Sequence, residues 1–597
     1  MSRNAAAVQA STDAEELSQI LNDIATTSQK VVQAFMDRAQ AGHRVGVDDN
    51  AHMNRLYREL HRSLMANPAA VFQAQMDFWQ DYLRLLHSST LRFWGLPSEP
   101  VIEPRQGDKR FKHEAWQSNP VFDFIKQTYL LSANYIYTLI EQAEGLDEKT
   151  ARQVEFFTRQ FVDALAPTNF VATNPEVLEA TVKSRGRNLL RGLKNLLADV
   201  ERGGGRLDIR MTDLEAFEVG RNLAVTPGKV IYQNELMQLL QYEPSTEKVH
   251  QRPLLFVPPW INKYYILDMR EDNSMIRWVR DQGYTVFVIS WRNPTKDLAD
   301  RTFEDYMREG PLAALDAIEQ ATGETEINAV GYCLGGTLLA TTLAYMAAKG
   351  DKRITSATFF ASLIDFSEPG DLGVFIDEAQ MQALEKRMAQ HGYLPGYNMA
   401  LTMATLRAND LVWSFYVNNY LKGEDPFPFD LLYWNQDATN MPFAMHSFYL
   451  RNMYLENKLR EPGGITIEGV PIDVSKIDIP AHFISSREDH IAPWTSVFKG
   501  STLFSGPTKF VLAGSGHIAG IINHPDANKY GYSTNNRKVA DAEKWLEGAK
   551  EQKGSWWPEW ERWLAHKSGP NVDARQIGAG KLKPIEDAPG SYVKEKA

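Results

Sequence analysis

The stretch EINAVGYCLGGTLLATT, residues 326–342, carries the single cysteine of the chain, Cys333, two positions after Gly331 and two before Gly335. An apolar run, a nucleophile flanked by small residues at those spacings and then a helical pattern mark a sharp strand-to-helix turn, where crowding admits little beyond glycine. The helix predicted over LGGTLLATTLAYMAAKG aims its N-terminal N–H groups and positive dipole end at the sulfur, which favours thiolate. A lone cysteine is more often a buried structural residue, but strand, Gly, Cys, Gly and helix in succession point to covalent chemistry on sulfur. Such a nucleophile needs a base, and the base needs a group to orient it. His517 lies in the turn LAGSGHIAG just past one apolar run, and Asp489 in SSREDHIAPW just past the run before it.

Nucleophile, then acid, then histidine is the chain order of α/β hydrolases. The pattern therefore selects Cys333, Asp489 and His517 as the catalytic set. Asp365, which ends ATFFASLID, is the rival acid because it too would reach the carboxyl edge of a sheet; chain order favours Asp489. His490, beside Asp489, is assigned a supporting role, and Gly331 and Gly335 support the turn. For the other histidines, His43, His52, His87 and His391 among them, solvated or capping roles are the default. The oxyanion hole is expected from the N–H after the nucleophile, Leu334, and from the loop VPPWINKYY. The two prolines have no N–H, which leaves Trp260 or Ile261, and Trp260 is preferred.

These residues must be positioned by buried strands. Six short apolar runs read as parallel strands: PLLFVPP from 253, YTVFVISW from 284, EINAVGY from 326, ATFFASLID from 357, AHFISS from 481 and TKFVLAG from 508. The fold class is thus α/β, an α/β-hydrolase catalytic domain over residues 206–568. An aromatic-rich insertion at about 366–478 is expected to form a helical lid over the carboxyl edge, bearing Trp413, Tyr416, Tyr420, Tyr433 and Trp434. An all-helical domain, 46–205, precedes it. There Phe72, Met76, Trp79, Leu83 and Leu86 recur at helical steps, similar periods run through 119–142 and 174–205, and glycines 203–205 end the last helix. Residues 1–45 have the composition of a flexible tail, and 569–597 that of an extended polar arm.

Composition narrows the function. A formal charge of −11 and no dense Lys/Arg stretch argue against nucleic acid. One cysteine makes no internal disulfide, and the N-terminal sequence has no signal-peptide core, so a cytoplasmic location is expected. No transmembrane segment is expected. No Gly-rich phosphate loop or metal-spaced His/Cys/Glu set stands out, so neither cofactor nor metal is expected. Helix-on-helix packing accounts for most of the aromatic surface, with a second subunit or a lipid-like phase as the sharper reading.

GYCLGG, VPPWINKYYILD, FVISWRNP, SREDHIAPW and GSGHIAG, in this order, closely resemble the motifs of class I polyhydroxyalkanoate synthases, and the resemblance spans about 70–597. It implies an acyltransferase in which Cys333 carries the acyl group, His517 is the general base and Asp489 its partner or the activator of the substrate hydroxyl. It also implies a 3-hydroxyacyl-CoA substrate, most often 3-hydroxybutyryl-CoA, with CoA released as a polyester grows. Short side chains are favoured. A homodimer at the surface of a cytoplasmic storage granule, in company with granule-associated proteins, is implied too, the helical domain serving dimerisation and granule attachment. Trp260 departs from the pattern, since relatives often carry a smaller residue there, and its bulk bears on the width of the channel. The rival readings are a thioesterase or polyester depolymerase with the same triad, and a non-catalytic granule-coat scaffold, which would have lost it.

Overall fold

The computed structural model describes residues 19, 20, 22–33 and 47–597. The expected tail over 1–45 lies outside those residues except at 19, 20 and 22–33, which are helical. Two compact units are present: the residues before Leu214 together with Met403–Pro428, and Leu214–Thr402 together with Phe429–Ala597. No helix among the described residues is long and apolar enough to cross a membrane.

The first unit is helical. Its main helices are α1 (Val47–Ala66), α2 (Pro68–Phe93), α3 (Pro120–Glu141), α4 (Glu148–Ala164) and α5 (Arg187–Arg202). Three Asn-Pro pairs start helices: the side-chain oxygens of Asn67, Asn119 and Asn174 accept N–H bonds from Ala70, Val121 and Glu176. Each following proline occupies a first position where no N–H is lost. The 174–205 stretch is divided into two helices, because Arg185 and Gly186 both take left-handed backbone angles. On α2 the apolar stripe faces outward: Phe72, Met76, Trp79 and Leu83 are each at least half exposed, whereas Ala74, Leu85, Ser88 and Ser89 are buried.

The aromatic insertion is divided between the units. Residues 403–428 belong to the helical one, where the Tyr420 hydroxyl donates to buried Asp199 (2.6 Å), Asn188 Nδ2 to the Leu421 carbonyl (2.8 Å) and Asn419 Nδ2 to the Arg210 carbonyl (2.7 Å). Trp413, Tyr416 and Tyr420 therefore belong to that unit, while Tyr433 and Trp434 stay in the other.

The second unit is built on an eleven-stranded sheet. Its strands are β1 (Gly228–Gln233), β2 (Met237–Tyr242), β3 (Leu254–Val257), β4 (Val286–Trp291), β5 (Ile327–Tyr332), β6 (Ile354–Phe360), β7 (Ala481–Ser486), β8 (Thr508–Ala513), β9 (Gly531–Thr534), β10 (Lys550–Lys553) and β11 (Glu586–Asp587). The order is β10-β9-β8-β7-β6-β5-β3-β4-β2-β1-β11. β3 to β8, the six apolar runs, form the parallel centre, and the flanking pairs are antiparallel. The central strands are almost wholly buried because each face is covered by its own hydrophobic cluster, the arrangement that makes parallel strands read as continuous apolar runs. Helices named below are α6 (Leu334–Lys349), α7 (Phe443–Tyr449) and α8 (Trp557–Ala565).

Residues 569–597 are woven into this unit rather than extended from it. Asn571–Asp573 pairs with Lys248–His250, β11 edges β1, and Val593 is buried. Polar composition suits an edge strand, whose outer side meets water, so composition alone did not separate a docked arm from a free one.

Candidate active site

β5 ends at Tyr332, the chain turns at Cys333 with φ 51° and ψ −120°, and α6 starts at Leu334. This backbone is unfavourable for a residue with a side chain and persists only where surroundings over-determine it. They do so here: Cys333 N–H donates to the Phe360 carbonyl and Gly336 N–H to the Cys333 carbonyl, both at 2.9 Å. A Cβ on Gly331 would lie 2.4 Å from Gly336 Cα, and one on Gly335 would lie 2.0 Å from the Val257 carbonyl oxygen. Both glycines are thus required by close approach. The second contact also brings the loop after β3 against the first turn of α6. Cys333 itself is half-buried.

The loops after β7 and β8 bring the other two members together. Asp489 Oδ1 accepts the N–H groups of Ile491 (2.9 Å) and Ala492 (2.8 Å), and Oδ2 is 2.7 Å from His517 Nδ1. On its other side His517 is electrostatically coupled to Cys333. Burial alone would depress the His517 pKa, but the Asp489 charge, the charge at Cys333 and the hydrogen bond to Asp489 together hold it well above 6.5. Imidazolium is therefore the favoured form between two acidic groups. Asp365, by contrast, is engaged by Asn457 (3.0 Å), Arg460 (3.0 Å) and the Ser367 N–H (2.8 Å). The His490 carbonyl accepts the Asp371 N–H at 2.8 Å and so anchors a neighbouring loop.

Several residues that sequence reasoning missed hold this set. Tyr332 stacks on the His517 ring at 5.8 Å and donates its hydroxyl to the His517 carbonyl at 3.3 Å. From the start of α8, the indole N–H groups of Trp556 and Trp557 donate to the carbonyls of Gly520 (2.8 Å) and Ile521 (2.9 Å), tying down the chain just past His517. Tyr449, on α7, and Tyr454 pack edge to face with ring centroids 5.7 Å apart. Burial, then their mutual interaction and the charge at Cys333, keep the Tyr449 phenol protonated; burial and then Cys333 do so for Tyr454. Their five-residue separation inside an apolar segment gives no sign of proximity to the thiol.

Leu334 occupies the first position of α6, where an N–H has no internal acceptor. The loop carrying Trp260 is fixed on both sides of that residue. Trp291 Nε1 donates to the Pro258 carbonyl (2.8 Å) and the Thr439 hydroxyl to the Trp260 carbonyl (2.6 Å). The Trp260 ring is 2% exposed and packs against Trp291, Phe303, Tyr306 and Tyr449 with centroids 5.5–6.3 Å apart.

Comparison with known proteins agrees with this architecture. The family model described as "Poly-beta-hydroxybutyrate polymerase (PhaC) N-terminus" matches residues 107–279, and the "alpha/beta hydrolase fold" model matches 253–523. A poly(3-hydroxyalkanoate) polymerase of Methylorubrum extorquens is 50% identical over 92% of this chain and 91% of its own. Poly(3-hydroxyalkanoate) polymerase subunits of Rhizobium meliloti and Cupriavidus necator are 46% identical (95% of this chain, 93% of the relative) and 45% identical (82% and 83%). Among solved structures, the alpha/beta hydrolase GrgF from Penicillium sp. sh18 matches at 15% identity and a TM-score of 0.32, over 49% of this chain and 91% of that one. With relatives this similar over nearly their whole lengths, the chain belongs to the poly(3-hydroxyalkanoate) polymerase family, carried on an α/β-hydrolase fold.

Proposed function

We propose that the protein polymerises 3-hydroxyacyl-CoA, with (R)-3-hydroxybutyryl-CoA as the preferred substrate, releasing CoA and carrying the growing polyester on Cys333. The observation that carries this reading is one histidine hydrogen-bonded to a buried carboxylate and electrostatically coupled to a thiol held at a strained turn.

The chemistry follows from those contacts. The Cys333 thiolate attacks the thioester carbonyl, and the oxyanion is received by the N–H groups of Leu334 and Trp260. As the carbon–sulfur bond to CoA breaks, the His517 imidazolium gives its proton to the departing thiolate, leaving a neutral imidazole and an acyl–Cys333 thioester. Thioester is exchanged for thioester, so the acyl group keeps its reactivity. His517 then takes the proton of a 3-hydroxyl, whose oxygen attacks the acyl–Cys333 carbonyl; an oxoester forms, Cys333 departs as thiolate, and the imidazolium is restored. Asp489 holds the ring in the tautomer and orientation that both steps need. Water entering at the second step would release free hydroxy acid instead, which makes the aromatic side chains buried near Cys333, Tyr449 and Trp260 among them, part of the function.

The same reading includes a homodimer at the surface of a cytoplasmic polyester granule, for which the exposed apolar stripe on α2 offers a surface. No cofactor is used; CoA belongs to the substrate. The test incubates the protein and its Cys333→Ala variant with 3-hydroxybutyryl-CoA, follows free CoA with a thiol reagent and recovers chloroform-soluble polymer for methanolysis. CoA release with polymer, abolished in the variant, is expected. Release with only free hydroxy acid would instead mean a thioesterase, and activity surviving in the variant would remove Cys333 from the mechanism.

A further inference from the structure

An oxyanion donor works only within a few tenths of an ångström of its place, yet residues 260–263 belong to no strand and only Tyr264 begins a short helical turn. Their position has to come from contacts with other segments. One set comes from residues 434–439. Asn262 Nδ2 donates to the Trp434 carbonyl (3.1 Å), Trp434 Nε1 to the Lys263 carbonyl (2.7 Å), and Thr439 to the Trp260 carbonyl (2.6 Å). Asn262 also forms an antiparallel bridge with Ala438.

A second set comes from residues 592–596, far along the chain. The Asp437 carboxylate, 3% exposed, takes the Lys263 ammonium (2.9 Å) and the Lys596 ammonium (2.9 Å) on Oδ1 and the Tyr265 hydroxyl (3.0 Å) on Oδ2. Lys263, also 3% exposed, donates in addition to the Glu595 carbonyl (2.6 Å). Asn293 Nδ2 donates to the Lys596 carbonyl (2.8 Å), while Asn293 Oδ1 accepts the Asn440 N–H (2.9 Å). The segment is held upstream as well, by the Tyr592 hydroxyl on the Asn234 carbonyl (2.7 Å) and by buried Val593. One carboxylate thus joins three segments: the loop after β3, the stretch before α7 and residues 595–596.

We propose that Glu595 and Lys596 form a clasp that positions the oxyanion-hole loop, with Lys596 acting as a positioning residue through Asp437 and Lys263. This rests on the assignment of Trp260 as an oxyanion donor. Lys263 and Asp437 alone are a buried pair whose orientation the loop and the 434–439 stretch share; both can shift together. Tying Asp437 to Lys596, and Lys263 to the Glu595 carbonyl, fixes that pair to a segment docked on the sheet edge, and so fixes the loop relative to Leu334.

The experiment compares the full-length protein with Lys596→Met and Lys596→Arg. Lys596 is 63% exposed, so its loss leaves the fold in place, whereas Asp437→Asn would strand the buried Lys263 charge and is not used. Two readouts are taken: CoA release from 3-hydroxybutyryl-CoA, and amide hydrogen exchange across 260–267. For Lys596→Met the expectation is a kcat lowered roughly ten- to a hundredfold, KM little changed, the thermal midpoint preserved, and faster exchange across 260–267; Lys596→Arg regains most of the rate. Unchanged exchange would overturn the clasp whatever the activity does. Faster exchange with parental kcat would overturn its positioning role. A parent that releases no CoA would refute the proposed substrate, and the exchange comparison would still decide whether Lys596 orders the loop.

Discussion

Asp489 divides its oxygens between two tasks. Oδ1 is saturated by two backbone N–H groups, which fixes the carboxylate, and Oδ2 is left to His517. Replacing it with asparagine keeps the size but removes the charge that offsets burial at His517. The consequence has a sign. Because the folded pKa is raised, the stability contributed by the imidazolium is complete below the ordinary 6.5 and is lost as pH rises through the raised value. Asp489→Asn is expected to bring the His517 ring titration down, as followed by 1H–15N spectra, and to lower the rate of CoA release by about 10²–10⁴. An unmoved titration would show that Asp489 does not set the charge state. His446 shows the opposite case: buried without a hydrogen-bond partner for either ring nitrogen, it is pushed down to about 4 and stays neutral near pH 7.

At the scale of elements, α8 holds the His517 loop from behind. Trp556→Phe keeps the ring but deletes the bond to the Gly520 carbonyl, a loss of about 1 kcal/mol in denaturant unfolding, and, with His517 as the proposed base, should lower kcat more than it raises KM because it loosens that residue rather than a substrate contact. A rate unaffected at that cost would reduce α8 to packing. On α2, Trp79 and Leu83 bury little within the chain; Trp79→Ser with Leu83→Ser is therefore expected to leave the thermal midpoint in place while weakening self-association in sedimentation. A fallen midpoint would instead place the stripe in intramolecular packing. These cases also mark what the sequence could disclose. The six parallel strands were legible because burial on both faces leaves continuous apolar runs, and Cys333, Asp489 and His517 were legible because a strained turn and chain order constrain residue type. Tyr449, Tyr454, Trp556 and Trp557 were not, since nothing in their local spacing distinguishes a group facing a thiol from one facing the core. The division of the insertion was equally hidden: it is set by contacts such as Tyr420 with Asp199, 221 residues away. The docking of residues 569–597 rests on Tyr592 with Asn234, 358 residues apart.

For the whole molecule, the consequence of that division is that the helical unit is assembled from two separated pieces of chain. Residues 403–428 leave the catalytic unit and return to it, and in between they take their polar partners from helices that precede Leu214. Asp199 alone receives Tyr420, Arg202 (2.8 Å) and Arg210 (2.9 Å), so the Tyr420 hydroxyl sits in a network that only the intact unit supplies. A protein beginning at Leu214 keeps every strand of the sheet, both hydrophobic clusters and the Cys333–His517–Asp489 set, and loses Asn188, Asp199 and Arg210. Local stability follows local partners. In that truncated protein, amide exchange and limited proteolysis should therefore concentrate in 403–428, with β3 to β8 still protected and Cys333 still open to alkylation. On the proposed mechanism, polymer yield should fall further than the first acylation of Cys333, since repeated cycles would expose any loss of order beside 403–428 more than a single acyl transfer would. Equal protection of 403–428 in the truncated and full-length proteins would refute the dependence on the helices before Leu214, and a loss of protection across the central strands would show that the catalytic unit needs the helical one to fold.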